Sequence, residues 1–177
     1  MFLAPPGSGR TREHEEHPGS TFRAVTDKLI SESTTVAAPP EVVFAILADP
    51  RQHSRIDGSG SVGSVVRAPE RLTATGQTFT VRMKLFGVPY LIRNRVVEFE
   101  PGRRIAWRHF TANRWRYELA PTADGGTTVT ETFDASRADG FTDAVVRAAK
   151  FPERNRAGIR GTLERLKRAA EADASTN

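Results

Sequence analysis

The stretch TTVAAPPEVVFAILADPRQHSRIDGSG, residues Thr34–Gly60, decides the fold. A run rich in Thr and Val predicts an edge strand, and the two prolines that follow end it. Pro40 suits the first position of a helix, where no amide hydrogen is needed. The apolar face of that helix consists of Val43, Phe44 and Leu47. We therefore expect a strand that turns sharply into a helix lying across the opening of a cavity.

The second half of this stretch predicts a short helix and a turn. Asp49 stands before Pro50 in the position of a helix cap. A second helix is expected from Arg51 to about Arg55, and Asp57-Gly58-Ser59-Gly60 is typical of a turn.

Composition predicts one cytoplasmic domain. The chain has 177 residues, of which 38% are hydrophobic and 27% charged, and it lacks cysteine, which excludes disulfides and thiolate metal sites. No apolar run reaches the ~20 residues of a membrane span, and the N-terminal prolines interrupt any signal-peptide core. We expect a disordered tail at residues 1–25, one domain at 26–172 and a disordered C-terminus at 173–177.

The net charge of +5 does not point to nucleic acid. The basic residues are mostly arginines, and acidic residues are interleaved with them along the chain. We interpret them as a solvated surface on outer strand faces and one helix. The alternative is a surface for an anionic partner or membrane headgroups.

After the opening stretch the pattern is β, followed by helix. Six further strands are predicted, with Asp124-Gly125-Gly126 as the clearest hairpin turn: Ser61–Ala68, Gln77–Leu85, Val88–Phe99, Arg104–Phe110, Asn113–Ala120 and Thr127–Asp134. Two helices are predicted at the end, Phe141–Lys150 and Pro152 to about Ala172. With the first strand at Lys28–Val36, the order is β-α-α-β6-α, an α+β fold. Seven antiparallel strands would form one curved sheet around a long C-terminal helix.

This order resembles the helix-grip superfamily of START-related lipid-transfer domains, birch-pollen-type allergens and bacterial polyketide cyclases/dehydrases. The resemblance spans about Lys28–Ala170. It rests on VAAPPEVVFAILADPRQH (Val36–His53), VVEFEPGRRIAWR (Val96–Arg108) and WRYELAPTADGGTTVTETFD (Trp115–Asp134). It implies a helix-grip fold with an internal cavity, and it leaves the ligand and any activity open.

Alternation along the strands predicts which side chains face that cavity. Charged residues belong outside, so the aromatic and apolar residues between them face inward. The predicted ligand-binding residues are Phe79, Met83, Tyr90, Asn94, Trp107, Trp115 and Phe133 from the sheet, with Phe151, Ile159 and Leu163 from the helices. The alternative is that these side chains simply fill the core.

Polar side chains on the same faces are candidates for proton transfer. His109 is expected to titrate near neutral pH and to serve as a general base, and a desolvated Glu131 would hold its proton and act as an acid. Tyr117 and Asn94 would assist or orient a ligand. The alternatives are a solvated, inactive His109 at a strand end and an outward Glu131 in a cross-strand ion pair.

A second polar cluster, His53, Arg55 and Asp57, is predicted at the cavity mouth. These residues would gate access or bind a polar head group, or His53 and Asp57 would only stabilise the turn. No spacing indicates a metal site, and no cofactor is expected.

The leading hypothesis is a module that binds a small hydrophobic molecule, either lipid-like or aromatic. The alternative is a polyketide cyclase/aromatase-type enzyme that uses His109, Glu131 and Tyr117. A third is a protein-interaction role for the basic helix or the sheet edge. The expected partner is a small hydrophobic ligand, with no nucleic acid and no integral membrane association, and the expected state is a monomer or homodimer.

Overall fold

A computed structural model describes residues 29–85, 87–109, 113–136 and 151–176, with the backbone alone for residues 85, 151 and 152. The predicted tail at residues 1–25 and the predicted helix Phe141–Lys150 lie outside these ranges.

The described part of the chain follows the predicted order of elements. Its strands are β1 (Leu29–Val36), β2 (Val62–Arg67), β3 (Thr78–Leu85), β4 (Val88–Glu100), β5 (Arg104–Arg108), β6 (Arg114–Pro121) and β7 (Thr127–Asp134). Its helices are α1 (Pro40–Ala48), α2 (His53–Ile56) and α3 (Phe151–Ala174), with a 3₁₀ turn at Pro50–Gln52.

The strands form one seven-stranded antiparallel sheet in the order β1-β7-β6-β5-β4-β3-β2. β2 to β7 follow one another as a meander, and β1 joins its far edge by pairing with β7. The register of β4 against β5 shifts between Val96 and Glu98, and such bulges increase the local twist of a sheet. The predicted helix-grip α+β fold is confirmed.

The link from β1 to α2 forms as the sequence predicts. Pro40 occupies the start of α1, and the helix buries its apolar face, Val43, Phe44, Ile46, Leu47 and Ala48. Asp49 ends α1 and caps the next turn, because its Oδ1 accepts a hydrogen bond from the Arg51 amide at 2.9 Å.

The long helix α3 packs mainly against β1 and also contacts α1 and α2. It continues two residues beyond the predicted end at Ala172, because its last turns are held from outside. Glu171 accepts a hydrogen bond from the Ala37 amide at 2.9 Å, and Asp173 pairs with Arg55 at 2.7 Å. No helix in the described ranges combines the length and apolar character of a membrane span.

Arginines occupy the outer face of the sheet, as predicted from the strand pattern. Arg93, Arg95 and Arg108 are exposed. Arg114 and Arg116 donate to Glu98 at 2.5 and 2.9 Å. Partial burial alone would raise the pKa of Glu98, but the neighbouring guanidinium groups outweigh it and lower that pKa.

Candidate functional site

A cavity of about 410 Å³ lies between the inner face of the sheet, α2 and the N-terminal half of α3. Ligand sites are typically hollows of about 300–1,000 Å³ with mainly apolar walls and a few polar groups. The apolar and aromatic lining residues are Ile56, Val62, Phe79, Val81, Met83, Tyr90, Ile92, Trp107, Trp115 and Phe133. The polar ones include His53, Asp57, Asn94, His109, Asn113, Tyr117 and Glu131. The interior is therefore not completely filled by its aromatic side chains.

Aromatic rings form the middle of the cavity wall. The rings of His53 and Trp107 are stacked, with centroids 4.9 Å apart and an interplanar angle of 18°. Phe79 meets the Trp107 ring edge-on at 5.7 Å. On the neighbouring strands Trp115 lies 4.7 Å from Phe133. These rings make this part of the cavity wall largely aromatic, with edge-on and tilted ring contacts as well as the stacked pair.

Glu131 and Tyr117 form a buried pair in the cavity wall. Glu131 is 2% exposed, and the Tyr117 hydroxyl donates a hydrogen bond to its Oε1 at 2.8 Å. Burial raises the pKa of Glu131 to about 8, opposed by the Tyr117 hydrogen bond and assisted by the charge of Asp57. At neutral pH the Glu131 carboxyl is therefore mostly protonated. The inward orientation predicted for Glu131 is confirmed, and the outer-face ion pair is not formed.

His109 lies on the cavity wall next to two amide side chains. Arg95 pairs with Arg108 in the sheet, so the preceding Asn94 lies beside His109 on the inner face. The His109 amide donates to the Asn113 carbonyl at 3.3 Å. Burial lowers the pKa of His109 to about 4, so the prediction that it titrates near neutral pH is wrong. The imidazole is neutral here because the apolar wall disfavours its charged form.

His53 lies inside the cavity wall rather than at its mouth. Its Nε2 is 2.9 Å from the Leu47 carbonyl oxygen, and because a carbonyl only accepts, Nε2 carries the hydrogen. Burial lowers the pKa of His53 against the smaller opposing effects of that hydrogen bond and of Asp49. His53 is thus a neutral ring that supports Trp107.

Asp57 stabilises the turn after α2, which is one of the two roles that the sequence predicted for it. Its Oδ1 accepts hydrogen bonds from the amide and hydroxyl of Ser59 at 2.9 and 2.7 Å. Its Oδ2 accepts from the Val62 amide at 2.8 Å. Asp57 also lines the cavity, so one carboxylate both shapes this turn and faces the interior.

Arg55 lies away from the cavity, and its predicted position at the mouth is wrong. Its guanidinium points across the surface to the end of α3 and donates to both carboxylate oxygens of Asp173, at 2.9 and 2.7 Å. α2 is a single turn, so residues two apart along it face different sides. His53 therefore faces inward while Arg55 faces the solvent.

The opening of the cavity lies between β2, the β3–β4 hairpin and the start of α3. Lining residues that reach solvent mark it: Ser59, Lys84, Tyr90 and Arg154. Tyr90 is 37% exposed, and it pairs with Met83 at the hairpin end. We call this group the cavity mouth.

The turn at Asp57–Gly60 packs directly on α3. The Gly58 amide donates to Thr162 Oγ1 at 3.0 Å. A Cβ added at Gly58 would lie 2.1 Å from the Thr162 amide nitrogen and 2.2 Å from the Gly161 carbonyl carbon. Gly58 is thus required for close approach, and Gly161 of the helix lies opposite it.

The sequence matches the profile of the family described as polyketide cyclase / dehydrase and lipid transport over residues 28–171. The chain belongs to this family. The matched segment includes every residue that lines the cavity. The polyketide cyclase/dehydrase and lipid transport family lies within the superfamily that the sequence resembles.

Curated relatives of this family member carry no stated activity. The uncharacterized protein Rv0088 of Mycobacterium tuberculosis strain H37Rv is 40% identical over 139 residues, which cover 77% of the chain and 62% of the relative. The uncharacterized protein MT0096 of strain CDC 1551 matches equally. The chain thus spans about three fifths of the length of the curated relatives it matches.

Solved structures share the fold of this polyketide cyclase/dehydrase family member. Protein CV1439 of Chromobacterium violaceum superimposes with a TM-score of 0.63 at 22% identity, covering 81% of this chain and 97% of the other. The AHSA1-like protein of Aeromonas hydrophila gives 0.59 at 22% identity, covering 82% and 93%. At these identities the likeness concerns the fold alone.

Two of the three helix residues predicted to line the cavity of this family member do not do so. Ile159 and Leu163 are 1% and 3% exposed and belong to the packed core. The reason is that Ile159 and Leu163 lie on the apolar stripe of α3 that packs into the hydrophobic core, beside the stripe that faces the cavity. Phe151 is the third predicted helix residue. The structure describes only its backbone, so its place in the cavity stays a prediction.

Other α3 residues line the cavity instead, and sequence reasoning missed them. They are Arg154, Asn155, Gly158 and Thr162. Asn155, Gly158 and Thr162 lie at i, i+3 and i+7, the spacing of one helix face. A stripe of small and polar residues beside the apolar stripe was the signal that could have identified them. Asn113, also missed, is an uncharged polar residue two positions before Trp115, on the same strand face.

Proposed function

We propose that this chain binds a small, mainly hydrophobic molecule in the cavity between the sheet and α3. The observation that carries the proposal is an open volume of about 410 Å³ with aromatic walls and a few buried polar groups. Apolar burial, at about 25 cal/mol per Å², supplies the affinity. Polar side chains on the wall set the orientation of the guest.

The family and the mouth residues support this function. The family description includes lipid transport as well as polyketide cyclisation, and both involve molecules with large apolar surfaces. The partly exposed ring of Tyr90 and the flexible side chain of Lys84 give a guest a route past the β3–β4 hairpin. Movement of these side chains is a smaller change than opening the sheet.

A matched pair of tryptophan substitutions tests the proposal. Ile92 is 5% exposed and lines the cavity, whereas its neighbour Leu91 is 58% exposed on the outer face. We expect Ile92→Trp to fill the cavity and weaken binding of the neutral fluorophore N-phenyl-1-naphthylamine at least about tenfold, equivalent to about 1.4 kcal/mol. Leu91→Trp adds the same bulk outside and leaves the affinity unchanged. Equal binding by both variants would place the fluorophore elsewhere and contradict the proposal.

Native mass spectrometry of the protein purified from its own host identifies the guest. We expect a co-purifying small molecule that Ile92→Trp excludes and Leu91→Trp retains. A mass spectrum of the free chain alone, from the wild type and both variants, counts against a tightly held guest.

A cyclase/aromatase-type reaction is the second proposed function. It is favoured by an uncharged carboxyl and a neutral imidazole, Glu131 and His109, on the wall of the same cavity. For aldol closure of a poly-β-ketone, His109 would remove the α-proton and the new enolate carbon would attack a carbonyl carbon. Glu131 would then protonate the resulting alkoxide oxygen, and Tyr117 would hold its carboxyl in place.

With a linear poly-β-ketone thioester, Glu131→Gln should abolish cyclisation while retaining binding. Cyclisation by that variant at the wild-type rate would exclude Glu131 as the acid.

A further inference from the structure

Buried polar atoms without partners mark the polar contacts that a guest would complete. In the part of the chain that the structure describes, Glu131 Oε2, Asn94 Oδ1 and Asn113 Oδ1 are inaccessible and have no hydrogen-bond partner. All of them belong to cavity-lining residues. Buried polar atoms are almost always hydrogen-bonded in folded proteins. These atoms therefore indicate where a bound molecule carries its own polar groups.

The unpartnered atoms lie at two different levels of the cavity. Glu131 pairs with Tyr117 in the register of β6 and β7, and the aromatic pair Trp115 and Phe133 forms the next inward-facing level. Asn113 lies two residues before Trp115, beyond that aromatic level. Asn113 and Tyr117 are thus four residues apart, about 13 Å at the rise of an extended strand. The aromatic wall separates a carboxyl end from an amide end.

The two ends require complementary groups on the guest. Glu131 Oε1 already accepts the hydrogen bond from Tyr117 at 2.8 Å, so the proton of the neutral carboxyl is on Oε2, where it can be donated. The amide oxygens of Asn94 and Asn113 accept hydrogen bonds. A guest thus needs an acceptor at the carboxyl end and a donor at the amide end.

Charge at the carboxyl end disfavours an anion. Asp57 lies close enough to Glu131 to affect its ionisation, and it also lines the cavity. The basic lining residues Lys84 and Arg154 belong to the cavity mouth, where they are exposed. A carboxylate or phosphate at the carboxyl end would therefore face Asp57, whereas the lysine and arginine among the described lining residues lie at the mouth.

We propose that the guest is an uncharged, mainly apolar molecule with a polar group at each end: an oxygen that accepts a hydrogen bond from Glu131, and a hydroxyl that donates to Asn94 or Asn113. This inference rests on the proposed function, since it needs an occupied cavity.

Naphthalenes with different end groups test the inference. The affinities of naphthalene, 2,6-dihydroxynaphthalene and naphthalene-2,6-dicarboxylate are measured by fluorescence titration of the full chain. We expect the diol to bind at least about tenfold more tightly than naphthalene, and the dicarboxylate more weakly than naphthalene. We call the ratio of the affinity for the diol to the affinity for naphthalene the diol preference.

Variants assign the diol preference to the two ends. Glu131→Leu and Asn94→Leu should each reduce it at least about threefold. Glu131→Gln should retain it, because the glutamine amide also donates. Glu164→Leu is the matched control for Glu131→Leu, since Glu164 is exposed on α3 and does not line the cavity, and it should leave the diol preference unchanged. Circular dichroism establishes that each variant is folded.

The possible outcomes distinguish failure of this inference from failure of the proposed binding function. If naphthalene binds and Ile92→Trp blocks it, but the diol binds no more tightly, the polar-end inference is overturned and the binding function stands. If naphthalene binding is absent, or unaffected by Ile92→Trp, the binding function itself fails. A diol preference that survives both leucine variants also overturns the assignment to Glu131 and Asn94.

Discussion

Glu131 shows how one residue acquires its properties from its surroundings. An exposed glutamate is ionised at neutral pH, but here burial raises the pKa to about 8. Tyr117 supplies one hydrogen bond, and the second carboxyl oxygen has no partner among the described residues. The result is an acid that can donate a proton or a hydrogen bond inside an apolar space.

The pKa of Glu131 predicts how stability depends on pH. Because its folded pKa of about 8 exceeds the ordinary value of 4.5, the folded chain binds more protons than the unfolded chain between these values. The contribution of Glu131 to stability is complete below pH 4.5 and is lost as the pH rises through 8. Each pH unit of increase in this window lowers the free energy of unfolding by up to about 1.4 kcal/mol. Glu131→Gln should remove this slope in urea unfolding from pH 5 to 9, and an unchanged slope would show that Glu131 is ionised in the folded chain.

Tyr117→Phe should affect Glu131 as well as its own position. Loss of the hydroxyl removes the hydrogen bond that lowers the pKa of Glu131, so that pKa should rise further. A buried acceptor left unpaired costs about 1–3 kcal/mol. The carboxyl stretching band in infrared titration reports the first effect and urea unfolding the second. A lower pKa in the variant would contradict the assigned hydrogen bond.

At the scale of elements, the contact between the Asp57–Gly60 turn and α3 positions the cavity wall. Gly58 allows the turn to lie on the helix backbone, and Thr162 ties the two together by a hydrogen bond of 3.0 Å. The same turn carries Asp57, and α2 before it carries His53, so this contact places both side chains over the sheet.

Alanine substitutions at three glycines should give graded effects. Gly58→Ala should be the most damaging, at about 3 kcal/mol or more, because its Cβ would lie 2.1 Å from helix backbone. Gly161→Ala should cost less, since its Cβ would be 3.0 Å from Gly58 Cα and alanine favours the helix. Gly158→Ala, with a 3.3 Å contact to the Ser59 side chain, should be nearly neutral. Equal effects in thermal unfolding would argue against direct packing of this turn on α3.

At the scale of the whole molecule, a buried acid and two buried bases make stability depend on pH in opposite directions. His53 and His109 are held neutral by burial, which lowers the pKa of each. Their pKa values in the unfolded chain are near 6.5, so the unfolded chain binds more protons below that pH. Their contribution to stability is present above pH 6.5 and is lost as the pH falls towards about 4 for His109.

We therefore expect Glu131 to cause a loss of stability as the pH rises towards 8, and the two histidines to cause a loss as the pH falls below 6.5. Urea unfolding midpoints between pH 4 and 9 measure the profile. His109→Gln should reduce the loss on the acidic side, whereas Glu131→Gln should remove the loss on the alkaline side. Stability that rises steadily from pH 6.5 to 8 would contradict the neutral state of Glu131.

The sequence alone determined the described elements, their order and the inward face of the central strands, whereas it left the inward face of β7 open. These features depend on local patterns: prolines and glycines end the elements, and alternation assigns Trp107, Trp115 and Tyr117 to one side of the sheet. The Asp124-Gly125-Gly126 hairpin follows the same rule, because Gly125 has a φ of 83° that glycine tolerates best.

Only the tertiary structure decided which of these residues share a space and in what ionisation state. The position of α3 along β1 buries Ile159 and Leu163 and gives Gly158 and Thr162 to the cavity. Arg55 pairs with Asp173, far along the chain, and the pKa values of Glu131 and His109 follow from the depth of their burial. Such distances and depths arise from packing between elements remote in sequence, and no local pattern encodes them.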